Sequence, residues 1–244
     1  MAIVVDRRVR SADRAFFSGM GVLIAAIVLV GFAPTFYLRG YLALPAYATS
    51  PLSALLVAHG VVATLWLLLF VAQTLLVAVG RTDLHRRLGV LAALVAAVMI
   101  ALAGVATIDG LRRGVALPGF DPRVWWLGNT FPSVPFLAFL IGVAIVLRRR
   151  PETHKRLMLL AAVNLLPPAF ARIALRTLDP SFALTFSSLM LLGFVVVLVI
   201  YDFATRGRVH PVSLWGGAAT MLFPQLMNMV AQTPAGSAFA DLFL

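Results

Sequence analysis

The chain contains no cysteine, which excludes a disulfide framework, a thiolate metal site and a cysteine nucleophile. It is also poor in charge. Asp, Glu, Lys and Arg make up 12% of it, about half the share in an ordinary soluble domain. Acid is scarcer than base, 9 residues against 20, and Lys155 is the one lysine. No H-E-x-x-H occurs, and the paired H-x-x-x-H spacing of seven-helix zinc hydrolases is absent too.

Apolar side chains fill the space. Of 244 residues, 61% are hydrophobic, and the mean hydropathy is +0.99. With apolar runs of 18 or more residues, this composition means membrane-spanning helices. The net charge of +11 is no sign of a nucleic-acid partner, because the basic residues lie in short stretches between apolar runs, as the positive-inside rule expects.

Seven helices are expected, at 15–37, 52–79, 87–109, 126–147, 156–177, 182–204 and 212–232. Each supplies the roughly 20 residues that cross about 30 Å of hydrocarbon. Pro224, Gln225, Asn228 and Gln232 dilute the last. The first run follows a basic N-terminus but ends in Ala33-Pro-Thr-Phe-Tyr37 with no small-x-small cleavage site, so an uncleaved span is expected. With the N-terminus inside, the inner face carries Arg7, Arg8, Arg10, Arg14, Arg81, Arg86, Arg87, Arg148, Arg149, Arg150, Lys155, Arg156, Arg206 and Arg208. The outer half keeps Arg39, Arg112, Arg113, Arg123, Arg172 and Arg176. This 14-to-6 division favours N-in and C-out.

One spacing recurs. Arg81-Thr-Asp-Leu-His85, Arg150-Pro-Glu-Thr-His154 and Arg206-Gly-Arg-Val-His210 all read R-x-x-x-H, and each links two apolar runs. The first two continue alike, as His85-Arg-Arg-Leu-Gly and His154-Lys-Arg-Leu-Met. The expected fold is an all-α polytopic membrane bundle, one membrane domain over 1–244. A lone first helix precedes three parallel hairpins at 52–109, 126–177 and 182–232.

The repeated turns have two readings. In one, Thr82-Asp83 and Glu152-Thr153 cap the following helices and favour their dipoles, while the arginines meet lipid phosphate. In the other, His85, His154 and His210 converge on the inner face and hold a metal ion or haem iron. Asp83, Glu152 and Asp202 are then near enough to ligate or to orient the rings. The arginines crowded on the same surface suit an anionic ligand equally.

A second set of polar residues lies within the apolar runs. His59, Trp66 and Gln73, seven apart, share one helix face. Asn164, the Pro167-Pro168 pair, Arg172 and Arg176 interrupt the fifth helix, Asn129 and Pro132 the fourth, and Asp109 closes the third. Broken backbone at membrane depth is tolerated where it lines a cavity or is buried in protein. An outward polar pocket is therefore expected near His59, Asp109, Asn129 and Arg172, with Gln73 and Asn164 as intramembrane polar groups and Asp109–Arg172 as its ion pair. The alternative is plain helix packing with arginines reaching the interface.

Taken together, Ala58-His59-Gly60, Trp66-Leu-Leu-Leu-Phe70, Gln73, the Gly80–Gly89 block with its H-R-R-L-G, His154-Lys-Arg-Leu-Met-Leu-Leu-Ala161 and Gly207-Arg-Val-His-Pro211 resemble a family of uncharacterised bacterial multi-pass integral membrane proteins. The likeness covers about residues 50–235. It implies a helical bundle in the bacterial cytoplasmic (inner) membrane and no mechanism. The layout of helices with interfacial histidines is similar, more faintly, to membrane haem proteins of the cytochrome b561 and haem A synthase kind, whose histidine positions this chain does not reproduce.

Three functions follow as expectations. The first is binding of a metal or haem through the histidines. The second is transport of an anionic or amphipathic solute. The third is a non-catalytic scaffold for other membrane subunits. The lipid bilayer is the expected partner in all three, and nucleic acid in none.

Overall fold

The computed structural model describes residues 7–45, 48, 51–116 and 120–244. Among these the chain is helical, with one isolated bridge between Arg39 and Leu42. Helix α1 runs Arg7–Phe32 and continues as a π-helical turn over Ala33–Tyr37. Helices α2, Ala54–Ala78, and α3, Thr82–Arg112, follow. The short α4, Pro122–Trp125, passes through a second π-helical turn, Trp126–Thr130, towards α5, Ser133–Val146. Next come α6, Pro151–Val163, and α7, Pro167–Thr177. The chain ends with α8, Ala183–Arg206, α9, Pro211–Ala231, and α10, Pro234–Asp241.

Six helical stretches among the described residues are long and apolar enough to cross a membrane: Val9–Tyr37, Ala54–Ala78, Thr82–Arg112, Pro122–Val146, Pro151–Thr177 and Ala183–Arg206. The protein is a multi-pass membrane bundle. The expected seventh span forms as helix α9 but is not among the six. Pro224 lies within it, and the amides that dilute it turn to neighbours, Asn228 to Asn129 and Gln232 to the Asn228 carbonyl. Other boundaries also differ from expectation. Helix α3 begins at Thr82 rather than 87, because Arg86 and Arg87 remain helical while exposed. The run at 156–177 is two helices. Neither Pro167 nor Pro168 has an N–H for the preceding turn, so α6 stops at Val163 and α7 restarts at Pro167.

Helices α6 and α7 form the centre. Of their apolar stretch 56% is buried, against 17% for α3. Around them pack α1, α5, α8 and α9, with α2 and α3 as an outer hairpin. Leu159, Leu160, Val163 and Leu166 fill the core with Ile24, Trp66, Met99, Leu140 and Leu198. Two local devices hold α1 to α7. Gly31 lets the helices touch, since a Cβ there would stand 2.7 Å from Ala169 Cβ. Close approach at small residues is how apolar helices gain packing energy in lipid. Beside it, Pro34 cannot donate to the carbonyl four residues back, Val30, and Arg176 of α7 supplies the donor, Nη2 to O 3.0 Å.

Candidate functional site

At one end of the bundle, α1 begins, α2 gives way to α3, α5 to α6 and α8 to α9. Because α6 is central, its second turn is carried inside, and Arg156 has no exposed surface. A buried guanidinium is tolerated only with partners on its five N–H groups. Nε lies 3.1 Å from each oxygen of Asp202, and Nη2 also meets Oδ1. Nη1 donates to the Glu152 carbonyl at 2.7 Å and to Glu152 Oε2 at 2.9 Å. Asp202, itself fully buried, further accepts from Ser213 Oγ at 2.5 Å and from the His210 amide at 3.2 Å.

Asp13 of α1 extends this network. It accepts from Lys155 Nζ at 2.7 Å, from Tyr201 OH at 2.5 Å and from Arg206 Nη2 at 2.7 and 2.8 Å. Lys155 and Arg206 each reach Glu152 as well, at 2.7 and 3.0 Å. Phe16 stacks on the Tyr201 ring, centroids 3.8 Å apart, and screens the cluster. Asp13, Glu152 and Asp202 thus balance Lys155, Arg156 and Arg206 in one network that joins α1, α6, α8 and α9. Within the network each of the three cations is paired.

The histidine turns meet this end differently. In the first two, arginine is the helix N-cap and histidine the fourth helical residue, its amide bonded to the arginine carbonyl: His85 N to Arg81 O 3.1 Å, His154 N to Arg150 O 2.9 Å. The two imidazoles come together, ring centroids 6.4 Å apart and planes at 81°. His154 Nδ1 bonds the Ala144 carbonyl at 2.8 Å, which leaves Nε2 with the lone pair. His85 Nδ1 is buried with no hydrogen-bond partner among the described residues.

His210 breaks the pattern. Gly207, with φ of 65°, ends α8 in the left-handed conformation, and Pro211 starts α9 at once. The residue before a proline is held extended, so His210 becomes the N-cap itself, its Nδ1 accepting from the Val212 amide at 3.1 Å. Burial, then the charge of Arg156, holds its imidazole below the usual histidine range, and the neutral ring suits its acceptor role. The structure thus brings His85 and His154 together and employs His210 elsewhere. Among the described residues no group of three His, Asp or Glu side chains is arranged to hold a metal.

The carboxylates expected beside the rings are engaged elsewhere. Asp83 pairs on the surface with Arg81 at 3.3 Å, and Glu152 belongs to the network above. Both sit in the first turn of their helices, as the dipole favours. Neither α3 nor α6 has a side-chain cap hydrogen bond, which corrects the expectation that Thr82-Asp83 and Glu152-Thr153 cap them.

The expected outer ion pair is also corrected. Asp109 Oδ2 lies 2.6 Å from Arg113 Nη2, one turn along α3. The Arg172 guanidinium stands 4.2 Å from the centre of the Phe32 ring, with Nη1 donating to the Pro168 carbonyl at 2.9 Å. Asn129 donates to Asn228 Oδ1 at 3.1 Å, and Asn164 to the Leu160 carbonyl at 2.8 Å and Thr220 Oγ1 at 3.2 Å. Those pairs are helix-packing contacts. His59 is half-buried on α2, with Nδ1 unpaired among the described residues. Gln73, 9% exposed, has neither amide atom hydrogen-bonded among them.

Sequence reasoning missed Asp13, Tyr201 and Ser213 and treated Lys155, Arg156 and Arg206 as face charge only. A signal was present: Glu152–Arg156 and Asp202–Arg206 are acid-before-base pairs at i and i+4, the favourable helical order. Comparison with protein-family models, curated proteins and solved structures yields no match.

Proposed function

We propose that this chain is a multi-pass protein of the bacterial cytoplasmic membrane that holds a transition-metal ion between His85 and His154. The observation that carries the reading is the pair itself. Two half-buried imidazoles stand 6.4 Å apart, and His154 turns Nδ1 to the Ala144 carbonyl. Metal-ligating histidines are held in this way: a carbonyl on one nitrogen fixes the tautomer and presents the other as a base. The matching start of α3 and α6, arginine cap, first-turn acid and fourth-residue histidine, supports a repeat between their two hairpins. The arginine count supports the N-in orientation, with the pair on the cytoplasmic side. The resemblance in the H-R-R-L-G and H-K-R-L-M blocks supports the bacterial membrane.

Elemental analysis and an absorption spectrum of the protein purified in detergent test the reading. One metal per chain, lost in both His85→Gln and His154→Gln, is the expected result. A Soret band that disappears in the same variants assigns the metal to haem iron. Metal-free protein after reconstitution with copper, zinc, iron and haem overturns the proposal.

A further inference from the structure

We infer that the ion held by His85 and His154 is monovalent copper, bound in a line between the two imidazoles; the inference rests on the metal reading of that pair. The first reason is the ligand count. Zinc sites use four ligands, or three protein ligands and water, and here two imidazoles stand 6.4 Å apart while Asp83 and Glu152 are committed to arginine and lysine. Monovalent copper, a closed-shell ion, is satisfied by two collinear donors.

The second reason is distance. With metal–nitrogen bonds of about 2.0 Å, two rings sharing an ion in a straight line have centres roughly 6 Å apart, whereas a tetrahedral angle brings them to roughly 5 Å. The observed 6.4 Å matches the straight arrangement. The 81° between the planes is no obstacle, because each ring turns freely about a linear nitrogen–metal–nitrogen axis.

The third reason is charge. Arg86 and Arg87 adjoin His85, Arg148, Arg149 and Arg150 precede α6, and no carboxylate joins the rings. Repulsion from fixed positive charge rises in proportion to the charge of the ion, and the cost of burial with its square. A singly charged ion is therefore the one that this half-buried, basic surrounding tolerates best.

Gln73 completes the case. It is 91% buried, both its amide atoms are unpaired among the described residues, and its Nε2 is 3.8 Å from where a Cβ on Gly89 would stand. Gly89 lies one helical turn beyond His85, so this amide packs against the same stretch of α3. Its amide is uncharged, so a cation beside it meets no further positive charge.

The test uses the full chain in detergent, loaded anaerobically either with Cu(I) and a reductant or with Zn(II), and dialysed against a chelator of known affinity for each. Cu(I) is expected to remain at one per chain, with two nitrogen neighbours in its X-ray absorption spectrum, and to bind at least about a hundredfold more tightly than Zn(II). His85→Gln and His154→Gln each weaken it about a hundredfold, and Gln73→Leu about tenfold, the range for groups that support a metal ligand. Zinc held as tightly as copper, or a four-coordinate spectrum, overturns the copper assignment and leaves the metal reading standing. Retention of neither ion, nor of iron or haem, overturns both. The copper–zinc comparison is made on the unaltered protein, so it does not depend on whether a variant folds.

Discussion

Replacing Asp202 with asparagine keeps the shape of the buried cluster and removes one charge from its centre. Arg156 then keeps two contacts to Glu152 and loses the carboxylate that faces Nε and Nη2, in a position with no solvent exposure. Removing one partner of a buried ion pair costs about 3–5 kcal/mol, most of it the penalty of the charge left behind. For a chain of this size each kcal/mol moves the thermal midpoint by about 2–4 °C, so Asp202→Asn is expected to melt roughly 6–20 °C lower. Thermal unfolding in detergent, followed by circular dichroism, measures this. The double variant Asp202→Leu with Arg156→Met removes both charges and fills the space. It is expected to recover most of the loss, since apolar replacement of a whole buried pair is often neutral or better. A single variant within about 2 °C of the parent, or a double variant no better than the single, refutes the claim that the pair is buried and mutually dependent.

Two further perturbations probe other parts of the structure. His210 is held neutral, so below about pH 6.5 an unfolded chain binds a proton that the folded one refuses, and stability falls with pH until the lowered native pKa is passed. His210→Asn retains a capping acceptor that does not titrate, and its thermal midpoint is expected to fall less steeply between pH 7 and 5; an unchanged slope counts against the neutral cap. Gly31→Ala places a methyl group 2.8 Å from the Ala169 carbonyl oxygen and is expected to cost about 1–3 kcal/mol by overpacking; a melting point equal to the parent's in the same assay shows that α1 and α7 do not touch there.

The lengths and apolarity of the spans were readable from composition, and the break in the central helix from Pro167-Pro168. Boundaries were less so. Arg86 and Arg87 looked like the edge of the hydrocarbon, but a helix continues past that edge when its long charged side chains reach water. The meeting of His85 and His154 was foreshadowed by the shared block that follows each. The departure of His210 was written in Gly207 and Pro211, which turn the third R-x-x-x-H into a helix end, a cap and a new helix rather than a cap and a first turn. The acid–base network was hardest to see. Its members are far apart in sequence, and an arginine reads the same on a solvated face as in a core. Only the central place of α6, which depends on every other helix, separates the two.

Asp13 joins Lys155, Tyr201 and Arg206 across separations of 142, 188 and 193 residues. Synthesis from the N-terminus therefore leaves this aspartate waiting while more than half of the chain is made before Lys155 emerges, and longer for the other two. The charged end of α1 is therefore fastened on both sides only after α8 has been made.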